Sequence, residues 1–188
     1  MLLPIIYFIM AFLIPYFLEE AAYSKLIPST PRGEKTIAQG YGWRIVWDLA
    51  YHIGLIGAGY NIIFLKHWEW LGYVIFLAGI LLRIWSLSQL REFYDPGIAL
   101  RSDHRLVQTG PFRLLRHPLH VGTLLKISGL AFFLPLWIVI PNVIASLVLA
   151  LYLNRTEDCL HLEKFGSDFQ MYYLRSWDFV DLIFWKKK

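Results

Sequence analysis

Gly110-Pro111-Phe112-Arg113-Leu114-Leu115-Arg116-His117-Pro118-Leu119-His120-Val121-Gly122 joins a polar loop to a long apolar run. Gly110-Pro111 marks a turn. Pro118 suits the first position of a helix, where its missing N–H leaves no bond unmade. A helix opening there presents unpaired N–H groups and the positive end of its dipole, which favour an anionic group nearby. Two arginines and two histidines stand on that junction. The apolar runs on either side of it decide the fold class.

Working outward, Pro118 to Leu134 and Leu136 to Leu153 are apolar, and Pro135 marks a tight turn that makes them a helical hairpin. Before the junction lies a polar stretch, Arg91 to Arg116. Before that come apolar runs at Trp68–Leu90, Trp43–Leu65 and Leu2–Leu18, the last closed by Glu19 and Glu20. The loop Lys66-His67 is so short that the runs flanking it form an antiparallel hairpin. Each run approaches the roughly 17–25 residues that cross a bilayer. After Leu153 the pattern predicts a helix over about Arg155 to Arg175, then a basic tail.

Composition agrees. The chain is 57% hydrophobic and 17% charged, against about 45–50% and about 25% in a soluble domain. The expected fold is an all-α integral membrane protein: about five transmembrane helices plus a cytosolic C-terminal helix, in a single domain over residues 1–188. The first run lacks a basic leader and reads as a retained span. Five spans put Lys25, Arg32, Lys35 and Arg44, then Arg91, Arg101, Arg105, Arg113 and Arg116, then Arg155, Lys164, Arg175 and Lys186 to Lys188 on one side, leaving only Lys66 on the other. By the positive-inside rule the long loop and C-terminus are cytosolic and the N-terminus is outside. The single cysteine, Cys159, excludes an intramolecular disulfide and a cysteine-based zinc site, and no metal is expected. A net charge of +4 with a basic tail calls for membrane lipid and no nucleic acid.

Two polar segments thus converge on one membrane face, the loop ending in Arg116-His117-Pro118 and the Glu157-Asp158 pair after the last span. An active site at the lipid–water boundary and a lipid-binding module both fit. The plainer readings are positive-inside anchors for Arg113 and Arg116, an Asp48–Arg83 ion pair within the membrane, and a snorkelling Lys126.

The order and spacing of three elements carry a resemblance: His104-x-Leu106-Val107-x-x-Gly110-Pro111-Phe112, then Arg116-His117-Pro118-x-x-x-Gly122, then Glu157-Asp158 followed by Phe165-Gly166. Over roughly Gly79 to Phe179 the chain resembles the isoprenylcysteine carboxyl methyltransferase family and the related phospholipid methyltransferases. The resemblance implies a membrane enzyme that takes S-adenosylmethionine from the cytosol and methylates a lipid-like or prenylated acceptor. It implies a cofactor-binding portion over roughly residues 91–180. There His104, Arg105, Leu106, Val107, Phe112, His117, Pro118, Leu119, His120, Glu157 and Asp158 are expected against the cofactor. The carboxylates suit its positive groups, Arg116, His104 or free N–H groups its carboxylate, and Phe112 its adenine. Arg116, His120 and Arg155 are the catalytic candidates.

Two positions depart from the family. Its tyrosine three residues after the motif histidine is His120 here. Its acceptor-binding arginine, four residues before the motif acid, is Leu153 here. Arg155, two residues on, falls near the opposite helix face. The second departure weakens a carboxylate acceptor. An ethanolamine-type amine would instead need a base, for which His120 or Glu157 is available. Sterol reductases, which use NADPH, share an Arg-His-Pro element and supply a rival reading; a non-catalytic lipid-binding protein is the third.

Overall fold

A computed structural model describes residues 12–26, 52, 69–94, 100, 103–133 and 136–179. Within these it is helical: α1 (Ile14–Leu26), α2 (Glu69–Leu90), α3 (Pro118–Ala131), α4 (Leu136–Phe165) and α5 (Ser167–Arg175). Two 3-10 turns, Arg91–Phe93 and Gly110–Arg113, lie in the connection between α2 and α3. Extended pairing among the described residues amounts to one isolated parallel bridge, Leu115 to Trp177.

The α2–α3 pair is the frame. Four glycines let the two backbones touch. A Cβ on Gly79 would lie 2.5 Å from the Gly122 carbonyl oxygen, and one on Gly129 would lie 2.5 Å from the Phe76 nitrogen. Gly72 meets Gly129 in the same way, so the helices run antiparallel with glycine against glycine at two levels. Such close approach through small residues is a membrane-helix device. Phe12, Phe76, Ile80, Leu130 and Phe133 form the core where α1 joins this pair. The Phe12 ring meets those of Phe133 and Phe76 edge-on at 4.9 and 5.1 Å.

Two helical stretches among the described residues, Trp70–Phe93 and Val139–Phe165, are long and apolar enough to cross a membrane. Their outer faces are apolar as well. Trp70, Val74, Leu81 and Trp85 on α2, and Ile140, Ile144, Val148 and Tyr152 on α4, are all exposed. Exposed apolar stripes of this kind suit lipid. Apart from His52, the expected span Trp43–Leu65 lies outside the described residues, so the expectation of five spans stands beside two found among the described ones.

Three expectations are corrected. Glu19 and Glu20 do not end the first helix; α1 continues to Leu26. The reason is that Glu19 is buried and paired: one carboxylate oxygen accepts from Arg83 Nε and the other from Lys126 Nζ at 2.5 Å. Lys126 therefore does not snorkel; it is buried against that carboxylate. Finally, the fifth apolar run and the start of the C-terminal helix are one helix of 30 residues. Its polar half contains no breaker until Gly166, where φ is +53°, a conformation that glycine adopts without strain. The chain turns there and restarts as α5.

Candidate functional site

The Gly110–His120 stretch is held from two sides. Pro111 and Phe112 are buried, and the Phe112 carbonyl accepts a hydrogen bond from the Tyr172 hydroxyl at 2.8 Å. Burial pushes that phenol's pKa up, which keeps it a donor. Arg116 N–H donates to the Trp177 carbonyl, and Trp177 N–H to the Leu114 carbonyl, both at 2.7 Å. These bonds fasten the loop to α5 and the strap after it. Pro118 then opens α3 as expected, with His117 in the N-cap position.

The His117 ring points at α4 rather than capping α3. Its Nδ1 lies 2.9 Å from Glu157 Oε2 and its Nε2 lies 2.9 Å from Asp158 Oδ1. Carboxylates only accept, so both ring nitrogens donate and the ring is an imidazolium. Burial alone would lower its pKa, but the bonds and charges of Asp158 and Glu157 outweigh this and raise it to about 9. The other oxygen of Asp158 accepts from Arg116 Nη1 at 2.9 Å. The Arg116 guanidinium lies 3.6 Å over the Tyr173 ring, and the residue is buried.

Because His117 carries a raised pKa, its pairing stabilises the fold fully below its unfolded value of roughly 6.5. That contribution is lost as pH rises through about 9. Thermal unfolding of the purified protein in detergent should accordingly show a falling midpoint from near neutral pH to alkaline pH. The loss should reach a few kcal/mol, and His117→Gln should flatten the decline. A wild-type midpoint constant over that interval contradicts the pairing.

Beside this pair, His120 and Asn154 share a hydrogen bond, Nδ1 to Oδ1. Asn154 Nδ2 donates to both carboxylate oxygens of Asp178, at 2.8 and 3.0 Å. The His120 ring stacks on His117 at 5.8 Å between centroids, with 19° between the planes. One turn along α4 from Glu157, His161 stacks on Phe165 at 5.9 Å and on Phe169 at 5.3 Å. His104 closes the group from the loop, 6.2 Å from Phe165. A ring-lined patch thus adjoins a carboxylate pair.

The expected residues do not all assemble. His117, Pro118, Leu119 and His120 stand at the start of α3, with His117 and His120 beside Glu157 or Asp158 and His104 beside His161 and Phe165 of α4, whereas Phe112 is buried with its carbonyl turned to Tyr172 of α5. Leu106 and Val107 are half-buried, and Arg105 is exposed. Arg116 is committed to Asp158 and Tyr173. Arg155 is exposed, and unbroken α4 turns it away from the Leu153–Glu157 face; Leu153 is buried at 3% exposure. Arg83, whose expected partner Asp48 lies outside the described residues, pairs with Glu19 and donates to Thr123 Oγ1 at 2.5 Å.

Sequence reasoning missed Asn154, His161, Tyr172, Tyr173 and Asp178. The first two were findable, because Asn154 and His161 lie three residues before and four after Glu157, on one helix face. Asp178 carries no local signal.

The donors fit a zwitterion bearing a sulfonium and a flat base. Acids on α4 suit its positive charges, free N–H groups at the start of α3 suit a carboxylate, and the His161–Phe165 stack suits a ring. His117, His120 and Glu157 also bring atoms within 4.8 Å of one another, a metal-like spacing. With N–H aimed at a carboxylate from both of its nitrogens, however, His117 has no lone pair to give a metal in this arrangement.

The model of the isoprenylcysteine carboxyl methyltransferase (ICMT) family matches residues 70–159. No curated protein and no solved structure matches the chain.

Proposed function

Residues 70–159 belong to the isoprenylcysteine carboxyl methyltransferase family, a family of membrane methyltransferases, and we propose that this chain methylates a lipid-like acceptor from S-adenosylmethionine at the cytosolic face of its membrane. One observation carries the reading. The loop and α4 bring an imidazolium, two carboxylates and a ring-lined patch into one place beside a helix N-terminus. Glu157 and Asp158 would face the donor's positive groups. His104 and the rings near Phe165 would flank its base, and the first N–H groups of α3 would meet its carboxylate. S-adenosylmethionine, when bound, supplies a methyl group activated by a sulfonium. The protein's part is to hold that methyl in line with an acceptor lone pair and to exclude water.

Carboxyl O-methylation in the manner of the family is the first acceptor reading. The second, N-methylation of an amine such as an ethanolamine headgroup, is favoured by a specific observation. Leu153, where the family resemblance calls for an arginine, is buried and apolar, and Arg155 is turned away. Labelled methyl from S-adenosylmethionine should enter a membrane extract in the presence of the purified protein. A base-labile product indicates an ester, a stable one an amine. No incorporation, with the protein folded, contradicts methyl transfer.

A further inference from the structure

Asp178, Asn154 and His120 form a chain whose direction is fixed from its far end. The Asp178 carboxylate only accepts, so the amide nitrogen of Asn154 must face it, as both bonds at 2.8 and 3.0 Å have it. The amide oxygen is then turned to His120, and it too only accepts. The proton of His120 therefore sits on Nδ1 and donates to Asn154 Oδ1. In the neutral ring this leaves the lone pair on Nε2.

That lone pair is not idle. His120 Nε2 lies 3.7 Å from Glu157 Oε1, too far for a hydrogen bond. The other Glu157 oxygen is the one bonded to His117. Two acceptors thus face each other across 3.7 Å, and among the described residues no donor stands between them. His120 keeps 15% and Glu157 25% of its side chain exposed, so the gap is reachable. The groups around His120 are Glu157 on α4, the His117 imidazolium stacked on it, Asn154 with Asp178 behind, and Arg83 on α2.

A carboxylate acceptor arrives without a proton and has no use for such a base, and two facing acceptors repel it. An ammonium offers N–H groups to both. We propose that His120 is the general base of this enzyme, held in its Nδ1–H tautomer by Asn154 and Asp178, and that the acceptor is a primary or secondary amine of an amphiphile. This rests on the methyl-transfer reading above. The ammonium gives one proton to Nε2, making His120 an imidazolium beside Glu157 Oε1. The freed amine lone pair forms the N–C bond while the sulfonium S–C bond breaks, its electron pair staying on sulfur. The proton on His120 passes to water as product leaves. Asn154 is a positioning residue, acting through the ring it orients.

The test has two parts. Nitrogen-15 NMR of histidine-labelled protein in lipid nanodiscs, with His120 assigned by His120→Gln, reads the tautomer without any substrate. The expected signals are a protonated Nδ1 and a bare Nε2, lost as a fixed pattern in Asn154→Leu. An Nε2–H tautomer in the wild type overturns the proposal. The second part offers three amphiphiles of one chain length, ending in a carboxylate, an amine or a thiol, with labelled S-adenosylmethionine. The amine should be methylated. His120→Gln should lower its kcat by about 100-fold or more, with KM little changed and the acid limb of the pH profile gone. Methylation of the carboxylate or the thiol in preference to the amine, or an unchanged rate in His120→Gln, overturns it. A separate titration that detects no S-adenosylmethionine binding overturns the methyl-transfer reading itself, and is thereby distinguished from these outcomes.

Discussion

Glu157→Ala should all but abolish S-adenosylmethionine binding and methyl transfer, by at least about 100-fold. Glu157 Oε2 is a hydrogen-bond partner of the buried His117 imidazolium, and Oε1 faces the gap beside His120. Truncation strips one carboxylate from a buried cation and removes the acid nearest the proposed site for the donor's positive groups. Breaking a buried ion pair on one side costs roughly 3–5 kcal/mol. Here Asp158 still holds the other ring nitrogen, so the fold should survive with the smaller share of that loss. Glu157→Gln keeps an acceptor without the charge and should fall between the two. Isothermal titration with S-adenosylmethionine, on protein shown to be folded by size exclusion, measures the effect. Equal affinity in wild type and both variants would remove Glu157 from the site.

Gly129→Leu is the second large effect, and it acts on the frame. The nearest atoms to a Cβ there are Phe76 N at 2.5 Å and Gly72 O at 2.6 Å, both backbone. Neither can swing aside as a side chain would. The α2–α3 pair must part, and Arg83 on α2 then loses its reach to the Leu119 carbonyl and Thr123 on α3. Overpacking typically costs about 1–3 kcal/mol where side chains can adjust, so a backbone clash should exceed that. The expected result is a large loss of folded protein on detergent extraction. Lengthening Val74 to isoleucine, on the exposed face of the same helix pair, should change the yield little. Wild-type yield and melting temperature in Gly129→Leu would contradict the glycine-to-glycine contact.

How far these features were legible in the sequence depended on whether their cause was local. The apolar run behind α2 and the proline that opens α3 are local, and both elements stand where the pattern puts them. Polarity alone does not mark a helix end. A span ends where the membrane ends, but a helix ends only where its hydrogen bonding fails. α4 therefore runs through Glu157 and Asp158 to Gly166, and α1 through Glu19 to Leu26. The Glu19–Arg83–Lys126 group joins three helices, and no spacing rule reaches across such separations. The same holds for Asp178, which meets Asn154 only because the chain reverses at Gly166. His117, Glu157 and Asp158 were legible as residue types. Their mutual pairing, and the turning of Arg116 to Asp158 and Tyr173, follow from packing that the sequence does not spell out.

We propose that the junction of the loop with α3 and the polar half of α4 form a site for S-adenosylmethionine. Parallel titrations of the purified wild-type protein with S-adenosylmethionine and with NADPH test it most directly. Saturable binding of the first, weakened in both His117→Ala and Glu157→Ala, with no binding of the second, is the predicted result. Saturable binding of NADPH with none of S-adenosylmethionine would contradict it.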